Sequence, residues 1–269
     1  MNRGLQALLR QTEAIVVRAG DEALRYFQKP IAQWSKANDN DIVTEADHAA
    51  EAVILPALRE LLPEAAILSE ESGASGALAG WHWVVDPIDG TTNFAAGLPH
   101  FSVSVALADG PGHPVLGLVY NPFFREMFSA VRGGGTMVNG MPIAVTNTAA
   151  LEQAVLISGF STDLKVARQQ LRHWEALMGR TRALRRFGSA ALDLAYVAAG
   201  RVDGFWELHL KPWDIMAGLL LVQEAGGRAS DFACGADQLY SGGEVVASNG
   251  LLHESLCAAL AAVGASPGL

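Results

Sequence analysis

Cysteine is scarce in this sequence and no apolar run is long, which argues against a disulfide-rich protein and against a membrane-spanning one. Cys234 and Cys257 are the two cysteines in 269 residues, as expected for a reducing compartment. Their spacing matches no metal-ligand motif, so we expect both to be buried core thiols. The longest dense apolar run, residues 215–222, is far too short to span a bilayer, and residues 1–10 lack the apolar core of a signal peptide. We therefore expect a soluble, cytoplasmic protein without a membrane partner.

Positive charge is also scarce. Lys and Arg number 19 against 28 Asp and Glu, so the net charge is -9 and the pI is about 5.2. General nucleic-acid binders are usually basic, so direct nucleic-acid binding is disfavoured. An acidic protein also repels an anionic substrate, so a phosphate-ester substrate would require bound cations at the site. Hydrophobic residues make up 50% of the chain, which is enough for a full core.

The apolar periodicity predicts helices first, then strands, then an alternation of both. Helical spacing predicts a helix over residues 5–27 and a second over 44–62 that is kinked at Pro56, with a polar loop at 36–41 between them. The predicted strands and later helices then follow in chain order: strands 65–68, 81–85, 101–106, 115–120, 126–131 and 154–158, helix 164–178, strand 183–187, helix 190–199, strand 202–208, helix 214–225, strand 244–247 and helix 251–263. This order predicts layered sheets and helices in one compact unit. Its N-terminal part, 1–150, would be mainly antiparallel, and 151–269 would form an α/β half.

Three acidic clusters follow an apolar strand or open a helix, at residues 69–73, 86–94 and 213–218. In the second cluster, Pro87 fixes the backbone and Gly90 permits a sharp turn. Asp86 and Asp89 can then converge, with the Ile88 carbonyl between them. Thr91 or Thr92 would cap a following helix whose free amides face the same point. Hard oxygen ligands favour Mg²⁺, and no His or Cys cluster indicates zinc.

Each cluster alone has a purely structural alternative. An Asx-turn explains Asp86 to Gly90, a solvated strand end explains Glu70 and Glu71, and a helix N-cap explains Asp214. The occurrence of all three clusters in one chain favours a shared chemical site over three separate structural roles.

These segments resemble a known family. Residues 86–94 (Asp-Pro-Ile-Asp-Gly-Thr-Thr-Asn-Phe) resemble the signature of the inositol monophosphatase family. Residues 213–218 (Trp-Asp-Ile-Met-Ala-Gly), followed by Glu-Ala-Gly-Gly at 224–227, resemble its second signature. Segments 41–47, 69–73 and 187–191 match in the family's order and spacing, so the resemblance covers nearly the whole chain. Ser69 departs from the usual glycine, and the segment after Glu71 is short and rich in Gly and Ala.

The resemblance implies an α/β (α+β) layered fold, a helix–sheet–helix–sheet–helix sandwich of the sugar-phosphatase type with the site between the halves. It implies a Mg²⁺-dependent inositol-phosphate phosphatase that uses metal-activated water, usually dimeric and inhibited by lithium. Two or three Mg²⁺ ions would be held by Glu70, Asp86, the Ile88 carbonyl, Asp89 and Asp214. The implied catalytic residues are Glu70, Thr91, Asp47 (which supports Thr91) and Asp89. The implied substrate-binding residues are Asp89, Gly90, Thr91, Gly188, Ser189, Ala190, Glu207 and Asp214.

The sequence leaves alternatives open for the substrate and for the class of function. Neutral Thr92 favours the inositol branch of the family, while histidinol phosphate, fructose 1,6-bisphosphate and adenosine bisphosphate remain alternative esters. Glu207 would bind vicinal hydroxyls or be an exposed strand-end acid. Some bacterial relatives act in transcription complexes, so an accessory role in such a complex is a second class of function. The basic cluster near Arg185 and Arg186 is the one feature of the sequence that indicates it. The seven histidines are expected mostly at the surface.

Overall fold

The computed structural model describes residues 3–36, 42–236 and 239–264. Its helices are α1 (Arg3–Leu24), α2 (Glu45–Leu61), α3 (Thr91–Ala95), α4 (Leu164–Leu177), α5 (Ala190–Ala198), α6 (Pro212–Glu224) and α7 (His253–Gly264). Its strands are β1 (Gln33–Ser35), β2 (Ile42–Thr44), β3 (Ala66–Ser69), β4 (Gly73–Ser75), β5 (His82–Asp89), β6 (Ser102–Ala108), β7 (Pro114–Asn121), β8 (Glu126–Val131), β9 (Thr136–Val138), β10 (Met141–Ile143), β11 (Val155–Ser158), β12 (Ala183–Arg185), β13 (Gly204–Leu210), β14 (Arg228–Ser230) and β15 (Gly243–Ser248). Residues 37–41 of the predicted polar loop lie outside the described residues.

The first layer is the pair α1 and α2. The start of α2 is fixed by a capping box, in which the Thr44 hydroxyl accepts from the Ala46 amide at 3.2 Å and the Asp47 carboxylate accepts from the Thr44 amide at 2.8 Å. Both helices turn an apolar face towards one side of an eight-stranded sheet, where they share a core with β5, β6 and β7. The helix predicted from Thr44 is therefore confirmed, with Pro56 inside it.

The eight-stranded sheet has the order β10-β9-β8-β7-β6-β5-β3-β4. It is antiparallel except for β3 and β5, which run parallel, so their carboxyl ends meet at one edge. The register between β5 and β6 shifts between Asp86, opposite Ser104, and Asp89, opposite Ser102. Such a bulge bends the strand and redirects its side chains, and here it lies where the acidic residues emerge.

Helices α5 and α6 form the middle layer and pack between the eight-stranded sheet and a five-stranded sheet of order β12-β11-β13-β15-β14. Helices α4 and α7 cover the outer face of the second sheet. The layers thus alternate helix, sheet, helix, sheet, helix, which confirms the fold class. The predicted division at residue 150 separates the two sheets, but α6, from the second half, packs on the first sheet. The boundary at residue 150 within one compact unit stays a prediction.

Two helix starts differ from the sequence prediction. Gly90, with φ of 95°, is the N-cap of α3, in place of Thr91 or Thr92. Helix α6 begins at Pro212 with Lys211 as N-cap, so Asp214 sits in the third helical position and is not the cap. Proline at the first helical position loses no hydrogen bond and has its φ already set, which explains the earlier start. Strand β5 extends to Asp89 because pairing with β6 resumes after the bulge.

The expectation of a buried thiol was wrong for Cys234, which is half-buried in the turn after β14, and right for Cys257. Of the seven histidines, His48, His113 and His209 are exposed and His100 is half-buried, whereas His82, His173 and His253 are buried. Among the helices of the described ranges, none combines the length and the apolar character needed to cross a lipid bilayer.

The contact between α5 and α6 is set by Gly218. A Cβ added there would lie 2.6 Å from Leu194 Cβ, so Gly218→Ala must push the two helices apart. We expect the free energy of unfolding in urea to fall by about 1–3 kcal/mol, the usual effect of overpacking a core. Gly80→Ala is the matched control because nothing lies within 4 Å of its added Cβ, and it should change stability by less than about 0.5 kcal/mol. Equal stabilities of the two variants would contradict this packing.

Candidate active site

The carboxylates of Asp86, Asp89 and Asp214 converge on one point. One oxygen from each lies within 4.8 Å of the others. Asp86 and Asp89 flank the bulge of β5, and Asp214 lies in the first turn of α6, which packs against β5. The Ser104 hydroxyl donates to the Trp213 carbonyl at 3.2 Å, which ties β6 to the start of α6. Sheet and helix thus bring together three of the predicted metal ligands.

Glu70 stands next to this trio, at the end of β3. Its amide donates to the Val85 carbonyl at 3.1 Å, and its carboxyl forms a hydrogen bond with Asp86. The Lys36 ammonium lies 2.7 Å from a Glu70 oxygen and 2.5 Å from a Glu71 oxygen. Burial raises the pKa of Glu71 to about 7, although contact with Lys36 opposes the shift. Sequence reasoning missed Lys36, because a lone lysine at the start of a polar loop carries no pattern.

Asp47 holds Thr91, as the resemblance implied. One Asp47 oxygen accepts from the Thr91 hydroxyl at 3.1 Å, and the other accepts from the hydroxyl of Thr44 at 2.6 Å. The Thr91 hydroxyl also lies 3.0 Å from the Ile88 carbonyl, the predicted backbone ligand. A hydroxyl has one proton to donate, so Thr91 gives it to one of these acceptors or shares it between them, and its oxygen can still accept a hydrogen bond from the cavity that Thr91 lines.

Asp89 connects the two halves of the chain. One of its oxygens accepts from the Ser189 hydroxyl at 2.5 Å and from the Ala191 amide at 2.8 Å, both at the start of α5. Gly90 packs close to the same segment, since an added Cβ would lie 3.1 Å from the Gly188 carbonyl. The predicted substrate-binding residues of the two halves therefore share one wall.

A cavity of about 940 Å³ opens over this wall. All eight residues of the predicted substrate-binding set line it: Asp89, Gly90, Thr91, Gly188, Ser189, Ala190, Glu207 and Asp214. The Glu207 carboxylate is buried against Gly159, where an added Cβ would lie 2.3 Å from it. This position corrects the alternative of an exposed strand-end acid. Four positively charged side chains also line the cavity: Lys36, Lys165, Arg186 and Lys211.

Asp86 and Asp89 are buried and Asp214 is half-buried, and none of the ion pairs among the described residues involves these three carboxylates. Burial, and then the charge of Glu70, raises the pKa of Asp86 well above its usual range. Burial and the charge of Asp89 do the same for Asp214, and burial raises the pKa of Asp89 to about 6. Crowded, desolvated carboxylates with hard oxygen donors fit a divalent cation such as Mg²⁺. The donor set contains no thiolate or imidazole of the kind that selects zinc.

Two further residues near the site were not predicted. Asp193 is buried, with one oxygen 3.2 Å from His100 Nε2, while its other oxygen has no hydrogen-bond partner among the described residues. Burial lowers the pKa of His100 to about 4, so the ring is neutral near pH 7. Asp193 is the one charged residue in the apolar helix Ala190–Ala198. A lone acid in such a helix is a sequence signal that points to a buried polar role.

Comparisons with known proteins agree with this architecture. A model of the inositol monophosphatase family matches residues 5–265. The inositol-1-monophosphatase of Synechocystis sp. is 42% identical over 260 residues, covering 96% of this chain and 90% of its own. The Nus factor SuhB of Escherichia coli is 43% identical over 235 residues, covering 86% and 87%. The structure of the extragenic suppressor protein suhB from Bartonella henselae has a TM-score of 0.89 at 37% identity, covering 94% and 98%.

The layered fold and the acidic cavity are thus those of a phosphatase family. The chain belongs to the inositol monophosphatase family, and the resemblance seen in the sequence is confirmed.

The raised pKa of Asp89 predicts a pH dependence of the metal-free protein. Between the unfolded value of about 3.9 and the folded value of about 6, the folded state binds more protons than the unfolded state. Its contribution to the free energy of unfolding therefore falls as the pH rises through this window. Urea unfolding in chelator should show wild type losing stability relative to Asp89→Asn as the pH rises. A relative gain of wild type over that variant would refute the prediction.

Proposed function

We propose that this protein is a Mg²⁺-dependent phosphomonoesterase that releases phosphate from myo-inositol monophosphate or a similar phosphorylated polyol. The observation that carries the proposal is the convergence of the Asp86, Asp89 and Asp214 carboxylates within 4.8 Å. They lie beside a cavity that four lysine and arginine side chains also line. Family membership supports the phosphatase class, and the name of the Synechocystis relative supports the inositol ester.

The acidic residues would hold the cations. Glu70, Asp86, Asp89, Asp214 and the Ile88 carbonyl are the proposed ligands of two or three Mg²⁺ ions. Bound Mg²⁺ supplies charge neutralisation for phosphate oxygens and makes water acidic enough to act near neutral pH. Phosphoryl transfer needs positioning and charge neutralisation more than covalent chemistry from the protein, so no Ser or Cys nucleophile is required.

The attacking water would be oriented by Thr91 and Glu70. The Thr91 hydroxyl donates its proton to Asp47 or the Ile88 carbonyl, at 3.1 and 3.0 Å, so its oxygen can accept a hydrogen bond from the water. Glu70 lies beside Asp86, and both line up at the carboxyl edge of β3 and β5. A carboxylate held there can take a proton from the water as it attacks.

The rest of the cavity would bind the ester. The Gly90 and Thr91 amides are the proposed phosphate donors, and Lys36, Lys165, Arg186 and Lys211 place positive charge along a cavity of a chain whose net charge is -9. Polar groups of the shared wall would meet the polyol hydroxyls; they belong to Asp89, Gly188, Ser189, Ala190, Glu207 and Asp214. Inhibition by lithium and a homodimeric assembly accompany this proposal as family expectations.

A panel of esters tests the reaction. Phosphate release from inositol, histidinol, fructose and adenosine phosphates should require Mg²⁺ and stop with excess chelator, with the highest kcat/KM for inositol monophosphate. Release of phosphate from none of them in Mg²⁺ would defeat the phosphatase proposal. Highest kcat/KM for another ester would defeat only the substrate assignment.

Single substitutions test the metal ligands. Asp89→Asn and Asp214→Asn keep the side-chain shape but remove a charge that the cations require, so kcat should fall at least about 10²-fold, equivalent to a few kcal/mol of transition-state stabilisation. Asp109→Asn is the matched control, because Asp109 is exposed in the turn after β6, at the end of that strand away from Asp89. Full activity of either site variant would refute its assigned role.

Recognition of the polyol can be separated from the reaction itself. Glu207→Gln should lower kcat/KM for inositol monophosphate by about 10-fold or more, since hydrogen bonds to charged groups contribute about 1.5–3 kcal/mol. Phenyl phosphate offers no hydroxyls, so its hydrolysis should change much less. An equal loss for both substrates would show that Glu207 does not bind the polyol.

A second candidate function rests on the relatives named Nus factor SuhB, which are 43–44% identical to this chain. We infer from them an accessory role in a transcription complex, independent of catalysis. Replacing the chromosomal gene by one encoding Asp89→Asn separates the two functions. A cellular role that survives this substitution favours the accessory function, and one that is lost favours catalysis.

A further inference from the structure

A second group of metal-ligand side chains lies at the outer layer of the C-terminal half. Cys234, His253 and Cys257 each offer a ligand atom, and these atoms all lie within 4.8 Å of one another. His253 opens α7 and Cys257 follows four residues later, so both face the same side of the helix. Among the described residues that line the active-site cavity, none belongs to this group.

The turn after β14 presents the third side chain to the helix. One carboxylate oxygen of Asp231 accepts from the amides of Ala233 and Gly235 at 2.9 and 2.7 Å. The Cys234 amide donates to the Asp231 carbonyl at 3.2 Å, and Cys234 has a φ of 63°. A left-handed conformation is unfavourable for cysteine, and the hydrogen bonds of the turn hold Cys234 in it. The Cys234 sulfur then lies 3.7 Å from Glu254 of α7.

His253 is arranged as metal-bound histidines are. Its Nδ1 lies 3.0 Å from the Ser248 hydroxyl, a contact that can hold the ring and leave Nε2 to bind a metal. Nε2 lies 2.7 Å from the Ser230 hydroxyl, which has the Asp231 carbonyl at 2.6 Å as an alternative acceptor.

We propose that Cys234, His253 and Cys257 bind a thiophilic divalent cation such as Zn²⁺. Two sulfurs and an imidazole favour Zn²⁺ over Mg²⁺, which prefers oxygen donors. Binding replaces two thiol protons, which leave to solvent, by two metal–sulfur bonds, and no electron is transferred. The fourth tetrahedral position would go to water, with Glu254 nearby, since its carboxylate lies 3.7 Å from the Cys234 sulfur.

A bound cation here would join the 231–236 turn to α7. The buried side chain of Phe232 already packs this turn into one core with Leu256 and Leu260 of the helix. The sulfur contacts between them are long, 3.7 Å from Cys234 to Glu254 and 4.0 Å from Cys257 to the Asp231 carbonyl. A metal ion that binds the folded chain adds its binding free energy to folding. The site would therefore stabilise the outer layer without entering the phosphatase reaction.

Cobalt titration of the reduced full-length chain tests this proposal. Co²⁺ bound by cysteine gives a thiolate-to-metal charge-transfer band, which should saturate at one equivalent per chain and disappear on addition of Zn²⁺. Asp86→Asn, which alters the oxygen-rich cluster, should keep the band. Cys234→Ser should lose it, and because Cys234 is half-buried this variant should keep the wild-type circular dichroism spectrum.

A second variant and a thiol assay complete the test. His253→Gln should weaken Zn²⁺ binding at least 10-fold in competition with a chromophoric chelator. The proposal is overturned if wild type gives no charge-transfer band, if Cys234→Ser keeps the band, or if thiol titration shows that Cys234 and Cys257 form a disulfide that takes up no metal. None of these outcomes depends on phosphatase activity.

Discussion

Mutual repulsion among buried carboxylates is the constraint around which the site is organised. Asp86, Asp89 and Asp214 bring oxygens within 4.8 Å of one another, and Glu70 lies beside them. Placing like charges this close in a desolvated site is unfavourable, which is why the pKa values of the three aspartates are raised. Divalent cations would remove this repulsion, so the same arrangement that destabilises the metal-free protein would favour metal binding.

The fold holds these acids with local hydrogen bonds that also start its helices. Asp47 completes the cap of α2 while it orients Thr91, and Asp214 accepts from the Lys211 amide at 2.7 Å while it faces the trio. Asp89 likewise accepts from the Ala191 amide in the first turn of α5. Each carboxylate uses one oxygen for the scaffold and leaves the other for the site. A substitution there therefore affects both helix geometry and metal binding.

Much of this was predictable from the sequence, and the reason differs from residue to residue. Asp86, Asp89 and Asp214 follow apolar runs within long motifs, so their position and order carried strong information. The start of α2 was readable because a capping box is a local pattern. Lys36 and Asp193 were missed, because their roles come from tertiary contacts with residues far along the chain. The Cys234 group was missed for the same reason, since the turn and helix α7 meet only in the folded chain.

Basic and acidic side chains that line the same cavity would act together on a phosphate ester. Lys36, Lys165, Arg186 and Lys211 attract the anion, while the carboxylates repel it unless cations are bound. Soaking crystals in Mn²⁺ and collecting anomalous diffraction tests this arrangement most directly. We predict anomalous peaks within bonding distance of Asp86, Asp89 and Asp214. Well-ordered crystals with those carboxylates in place and no peak between them would contradict it.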